Sequence, residues 1–299
     1  ALELTVLEEG MPAVVAIQAA KVGRIEGRWQ TFRHDRAHNG ESGPSSSSPC
    51  VYLGIEPSTT QGARYSMPDT AASHLIIRAD RLFDGLSTST RADQAVIIDG
   101  DRIGAVGPMA QIQRQVPPDT EVIDLGDACI TPGLIDSHTH VSLAADGRSY
   151  TELFAQTDEL MVLWGVANLR RHLDAGITTL RDNGARNMVA FALKEGLRCG
   201  YIEGPRLLAC GRSITCSEGH FHMCNAVADG EQEMQRAVRQ LVHQGADFIK
   251  VMASGGGTVG TIPGRASYSI EELRATVSEA RQLGRPTAAH CRARESMER

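Results

Sequence analysis

The sequence predicts a parallel α/β architecture behind a small β module. Two observations carry this. From residue 129 onward, apolar strand-like runs alternate with amphipathic helical stretches. Between residues 74 and 128, short apolar runs are separated by turns rich in Asp and Gly. Repeated β-α units with short connections build a parallel sheet, either a barrel or an open doubly wound sheet. A third observation points toward chemistry. The predicted strands end on His138 and His140, on Asp182, on Lys250 and on His290, and in a parallel barrel all C-terminal strand ends face one mouth.

Residues 1–66 differ in character from the rest of the chain. Residues 13–20 are apolar but short, and they come after Glu8 and Glu9 rather than a basic stretch, so they make a poor signal peptide. Residues 31–61 are polar and include Gly-Pro-Ser-Ser-Ser-Ser-Pro, the composition of a linker or disordered segment. Met67 opens a conventional-looking start. Residues 1–66 are therefore expected to be an extension with no role in the fold. Residues 67–128 form the β module, with strands at 74–79, 95–99, 102–106 and 121–125 and turns at Asp84-Gly85 and Gly100-Asp101. The alternating region is 129–299, with strands at 130–140, 177–182, 206–210, 247–252 and 286–290. In the helix predicted at 158–175, Leu160, Leu163, Trp164, Ala167, Leu169 and Leu173 fall at helical spacing, and Gly176 stops it. Further helices are predicted at 187–197 and 231–244. A last one, running to Leu283, opens on Ser269 and Glu272, the pattern of a capping box.

Composition excludes several partners. Aromatic residues make up 4% of the chain and the net charge is −6. Neither suits stacking on single strands or binding a phosphate backbone, so no nucleic-acid partner is expected. No apolar run approaches the length of a membrane span, so no membrane partner is expected either. The first strand is not followed by G-x-G-x-x-G, and Gly255-Gly256-Gly257-Thr258 is not a P-loop. The seven cysteines are odd in number and lack a C-x-x-C pair. They read as small buried residues of a cytoplasmic protein. Cys216 and Cys224 flank His220 and His222, which leaves a zinc knuckle conceivable behind that structural reading.

His138 and His140 stand two apart on a strand, so both imidazoles point to one face and make half of a metal site. Among ten histidines, one such pair also arises by accident. Lys250 belongs to a chain with only three lysines. Two readings of it stay open. Its charge is paired with Asp136 or Asp182 in a structural role, or it is desolvated, neutral and carbamylated by carbon dioxide. The resulting carboxylate would bridge two metals at the ~3.5–4 Å spacing of binuclear hydrolases.

The run Pro-Gly-Leu-Ile-Asp-Ser-His-Thr-His ending at His140, Lys250 within Gly-Ala-Asp-Phe-Ile-Lys-Val-Met, and His290 after Ala-Ala closely resemble the amidohydrolase superfamily. The run from Val96 to Val106 also looks like that family's N-terminal strands. Gly176-Ile-Thr-Thr-Leu-Arg-Asp, Gly204-Pro-Arg, Glu218-Gly-His-Phe-His and Ser254-Gly-Gly-Gly look like its prolidase-like and imidazolonepropionase-like members. The resemblance covers residues 74–299. It implies a partial TIM (β/α)8 barrel of about five β/α units, after a small β-sandwich module. It also implies a metal-dependent hydrolase of amide bonds, non-peptide or dipeptide, that uses a metal-activated hydroxide at a binuclear zinc centre. On this resemblance His138 and His140 hold the more buried metal, carbamylated Lys250 bridges as the catalytic residue, and His290 binds the second metal. His220, His222 and Tyr268 are candidates for substrate contact. Asp136 and Asp182 receive supporting roles. The expected partner is a small-molecule or dipeptide-like amide, with self-association open to the full-length parent. The family pattern continues with a histidine after the sixth strand and an aspartate after the eighth, both beyond Arg299. The alternative is therefore an inactive or partner-dependent fragment that binds at most one metal.

Overall fold

A computed structural model describes residues 74–299 together with the backbone of four short strands before them: β1 (Glu3–Leu7), β2 (Val14–Gln18), β3 (Gln30–Phe32) and β4 (Tyr52–Gly54). Apart from those strands, the expectation for residues 1–66 lies outside the described residues. The chain divides into two compact units. One comprises Ala1–Leu134 and Leu173–Thr178, the other Ile135–His172 and Thr179–Arg299.

The first unit is built on one mixed sheet. Strands β5 (His74–Leu82), β6 (Arg91–Asp99) and β7 (Arg102–Pro108) are antiparallel neighbours. A single helical turn, α1 (Met109–Ile112), comes next. Strands β8 (Glu121–Asp124) and β9 (Cys129–Pro132) both run parallel to β5, and β9 also pairs with β2. Side chains alternate across a strand. Leu75 and Ile77 therefore join Val96, Ile98 and Ile130 on one face, while Ile76 joins Ala95, Ile97 and Ile112 on the other. Burial on both faces explains why these strands read as continuous apolar runs. The strands outlast those runs, because the β5–β6 ladder continues through polar residues to Leu82↔Arg91. The β6–β7 hairpin turns at Gly100, whose φ of +60° costs a glycine little.

In the second unit strands and helices alternate. Strand β10 (Leu134–Thr139) leads to α2 (Tyr150–Phe154) and α3 (Asp158–Asp174), then β11 (Ile177–Asp182), α4 (Val189–Cys199) and β12 (Arg206–Ala209). Two short strands come after these, β13 (Ile214–Thr215) and β14 (Ala226–Val227). The remainder is α5 (Gly230–His243), β15 (Ile249–Met252), α6 (Ile270–Gln282), β16 (Thr287–His290) and α7 (Arg294–Glu298). Strands β10, β11 and β12 form one sheet, and β14, β13, β15 and β16 another. The β11–β12, β13–β15 and β15–β16 pairings are all parallel. Asp247 joins the two sheets: its N–H donates to Ala209 O at 2.9 Å, and its carboxylate accepts the Ala209 N–H at 2.9 Å. Lys194 Nζ neutralises that carboxylate at 2.7 Å.

Helix α5 shows what drives the packing. Met234, Ala237, Val238 and Leu241 recur at i, i+3, i+4 and i+7, and all are buried against Ile214, Ile249 and Val251. Burying Met234, Val238 and Leu241 contributes about 1.5–3 kcal/mol each. Helix α6 starts as its sequence indicates, with both bonds of the Ser269–Glu272 capping box made. Helix α2 starts on the same kind of box, Ser149–Glu152, which was not among the predicted elements. Among the described residues, no helix is long and apolar enough to cross a membrane.

One predicted element is corrected. The strand expected over 130–140 is two strands, β9 and β10, separated at Gly133. A Cβ at Gly133 would lie 1.9 Å from Thr178 Oγ1 and 2.7 Å from Thr178 Cβ. The chain passes the start of β11 too closely for any side chain. Gly133→Ala is therefore expected to destabilise the protein by about 1–3 kcal/mol, measured as a lower urea midpoint. Adding Thr178→Ala should recover part of the loss; an unchanged midpoint in the single variant would contradict the close approach.

Candidate metal centre

The end of β10, the end of β16 and the loop after β13 carry four of the predicted histidines as two pairs. His138 is exposed and His140 half-buried, with their ring centroids 5.6 Å apart. His290 ends β16 half-buried, and its ring lies 4.6 Å from that of His220, a buried residue of the loop after β13. Gly256 closes on His220 so tightly that a Cβ there would sit 2.4 Å from the imidazole.

Hydrogen bonds fix which ring nitrogens are free. His140 Nδ1 faces Gly184 O at 3.0 Å. A carbonyl only accepts, so Nδ1 carries the proton and Nε2 keeps its lone pair. His290 Nε2 faces Gly255 O at 3.3 Å, which leaves Nδ1 free by the same reasoning. His222 donates Nδ1–H to Gly219 O at 3.1 Å, and its Nε2 stands 3.6 Å from the Glu218 carboxylate.

The electrostatics favour the neutral form at His138, His220 and His290. Partial desolvation of the otherwise exposed His138 lowers its pKa first, and Lys250, His140 and Arg181 lower it further against Asp136. Burial also dominates at His290, opposed by the Gly255 hydrogen bond and reinforced by Lys250, Arg292 and His140. His220 falls to about 4 through burial, then His290, Arg292 and His140. Lys250 is 2% exposed, and burial pulls its pKa down. Its Nζ reaches Asn183 Oδ1 at 3.4 Å.

The two aspartates are committed elsewhere. Asp136 accepts the His138 N–H at 3.0 Å, with its other oxygen 3.9 Å from His172 Nε2. Asp182 is fully buried and accepts the N–H groups of Val141 (2.9 Å) and Gly184 (3.0 Å). Burial raises its pKa against the His140 charge and those two donors. Neither forms an ion pair with Lys250, so the salt-bridge reading of that lysine loses its partner.

Tyr268 stands apart from the group. It is 2% exposed within the α5 core, its hydroxyl donates to Ala228 O at 3.0 Å, and burial raises its pKa. Among the described residues, no three His, Cys, Asp or Glu side chains converge closely enough to hold a metal unaided. The donors form two pairs, His138 with His140 and His220 with His290, and Lys250 acts electrostatically on one member of each. The imidazoles of His140 and His290, each with one ring nitrogen engaged by a backbone carbonyl and the other left free, are donors of a kind that suits a divalent cation. The described cysteines are free. Sequence reasoning missed Asn183, Gly184 and Thr258. Asp182-Asn183-Gly184 reads as an ordinary turn, and Thr258, whose hydroxyl meets His220 Nδ1 at 2.8 Å, sits in a glycine loop.

Comparison with known proteins gives the family. The model of the amidohydrolase family matches residues 129–298, and the chain belongs to that family. It is 29% identical over 245 residues to an ochratoxinase of Aspergillus niger, covering 72% of this chain and 49% of that protein. An imidazolonepropionase of Pseudomonas aeruginosa (strain UCBPP-PA14) is 29% identical over 227 residues, covering 66% of this chain and 53% of the relative. Among solved structures, an Xaa-Pro dipeptidase with bound methionine in the active site aligns with a TM-score of 0.68 at 27% identity. That alignment covers 76% of this chain and 58% of the other. The chain spans about half the length of the curated relatives it matches.

The pKa of His220 has a stability consequence. A group lowered from 6.5 to about 4 binds fewer protons folded than unfolded between those values. Stability should therefore be lost as pH falls from 6.5 toward 4. Histidine proton resonances followed through a titration check this: a His220 midpoint near 6.5 would contradict its burial against His290.

Proposed function

We propose that the protein is a metal-dependent hydrolase of amide C–N bonds, with Lys250 carbamylated between two zinc ions. The observation that carries the reading is Lys250 itself: buried, lowered in pKa, without a carboxylate partner, and acting on both His138 and His290. A neutral ε-amine can attack carbon dioxide. The N–C bond forms as one C=O π bond opens onto oxygen, and the nitrogen loses a proton to solvent. The product is an anionic carbamate where the cation stood. His138 and His140 would hold one metal, His290 the other, and the carbamate would bridge them. The metals, when bound, polarise an amide carbonyl and make hydroxide available from water near neutral pH.

The chain's own residues prepare this. Gly184 O and Gly255 O set the imidazole tautomers, so lone pairs rather than N–H groups are presented. His220, tilted against His290 and bonded to Thr258, and His222 on the same loop are read as the residues that meet the substrate. Since the structural neighbours include an Xaa-Pro dipeptidase, a dipeptide-like amide is the substrate class to try first. The strands β10, β11, β12, β15 and β16 are read as the first five of a (β/α)8 barrel. Their parallel pairing and the half-length coverage of relatives support that reading. The N-terminal sheet is read as part of a β-sandwich, and residues 1–66 as dispensable. A chain begun at Met67 is expected to keep its solubility and metal content.

Zinc loading with bicarbonate should give chelator-sensitive hydrolysis of dipeptides. Lys250→Ala and His138→Ala should each lower it by about 100-fold or more. Intact mass should show one added carbon dioxide in the native chain and none in Lys250→Ala. Turnover that survives chelation, or that is untouched in Lys250→Ala, would overturn the proposal.

A further inference from the structure

Asp182 at the end of β11 and the two residues after it bond to several groups around the histidine pair. Asp182 uses both carboxylate oxygens, one on Val141 N–H at 2.9 Å and one on Gly184 N–H at 3.0 Å. Gly184 in turn receives His140 Nδ1 on its carbonyl at 3.0 Å. Asn183 donates its own N–H to Thr139 O at 2.9 Å, between the two histidines. Its Nδ2 donates to Ser137 O at 3.2 Å, just before His138, and its Oδ1 accepts from Lys250 Nζ at 3.4 Å. Ser213 Oγ donates to Asn183 O at 3.1 Å and pins the tripeptide from the β12 side.

A side chain at Gly184 would be strained. Its φ is +142°, and a Cβ would stand 2.8 Å from Ser213 Oγ. Glycine reaches this backbone conformation without strain, and in it the carbonyl faces His140 Nδ1 at 3.0 Å. Asp182 is 0% exposed and Asn183 is 1% exposed, so water cannot substitute for either. A buried carboxylate spanning two backbone N–H groups is a rigid brace, because leaving either donor unpaired carries the full desolvation cost.

From this geometry we infer that Asp182-Asn183-Gly184 is a positioning cradle. It sets the His140 tautomer through Gly184 O and holds the Lys250 amine through Asn183. None of the three residues ligates. The inference rests on the metal-centre reading for its purpose but not for its geometry, so the two can fail separately.

Nitrogen-15 NMR of the histidines in the metal-free 299-residue chain, at mildly alkaline pH, tests it. His140 should be protonated on Nδ1. Protonation on Nε2 in the native chain overturns the cradle without any variant. In Asp182→Asn the amide can accept from only one of the two N–H groups and opposes the other with a donor. His140 should become a mixture of tautomers, and zinc affinity should fall about 10- to 100-fold. A native tautomer and native zinc affinity in Asp182→Asn also overturn it. Asn183→Ala should weaken zinc about 10-fold while His140 stays protonated on Nδ1; loss of that tautomer there overturns the division of labour. If the native chain shows the Nδ1 tautomer but takes up no zinc, the metal reading fails and the cradle stands.

Discussion

Parallel pairing at fixed register is the constraint on which the candidate centre depends. Residues opposite one another in a parallel ladder point to the same face, and so do residues two apart along a strand. Lys250 is paired with Ala288, and Met252 with His290. Lys250 and His290 therefore share a face, one step apart along the sheet. Leu180 opposite Leu207 and Asp182 opposite Ala209 extend the same rule to β11 and β12. A slip of one residue in β16 would turn His290 to the opposite face and remove it from Lys250. The β-α connections make the pairing parallel, and the helices bury the outer face, so the register is specified by packing rather than by the histidines.

The elements with strong periodicity were legible in the sequence. The prediction of 177–182 matches β11 residue for residue, and the predicted ends of α5 and α6 fall within a residue of those observed. The histidine pair, Lys250 and His290 stood out as candidates because each lies within or after an apolar run. What the sequence hid were effects of close approach. Pro132-Gly133 looks like a strand with a kink, and only the distance to Thr178 shows that the chain must break there. Tyr268 comes after a glycine loop and so looks like a mouth residue, yet its hydroxyl is satisfied by Ala228 O inside the α5 core. Asn183 and Gly184 carry no periodic signal at all. Their role is visible only once Ser137, Thr139, His140 and Lys250 are seen around them.

The same residues pull stability and chemistry in opposite directions. Three imidazoles and an amine are held where burial disfavours charge, and each cation raises the cost of the next. The unfolded chain binds more protons than the folded one across the range in which these groups are depressed. Their contribution therefore weakens as pH falls through the window between the ordinary and the lowered values. Asp182 does not relieve this. Its oxygens are taken by Val141 and Gly184, and its own burial favours the protonated form.

A carbamate at Lys250 would reverse the balance. It exchanges the buried cation for an anion beside His138 and His290, so repulsion becomes attraction for a metal held by those imidazoles. Any ligand that binds only the folded state stabilises it by mass action. The centre and the fold around it would then be coupled: carbon dioxide and metal lower the cost of keeping these groups buried. The polar cradle at the end of β11 has the complementary part, because it keeps the lone pairs aimed while that cost is still being borne. Rigidity without the ligand requires hydrogen bonds that do not depend on it. All the bonds from Asp182, Asn183 and Gly184 to the β10 segment run between protein groups alone.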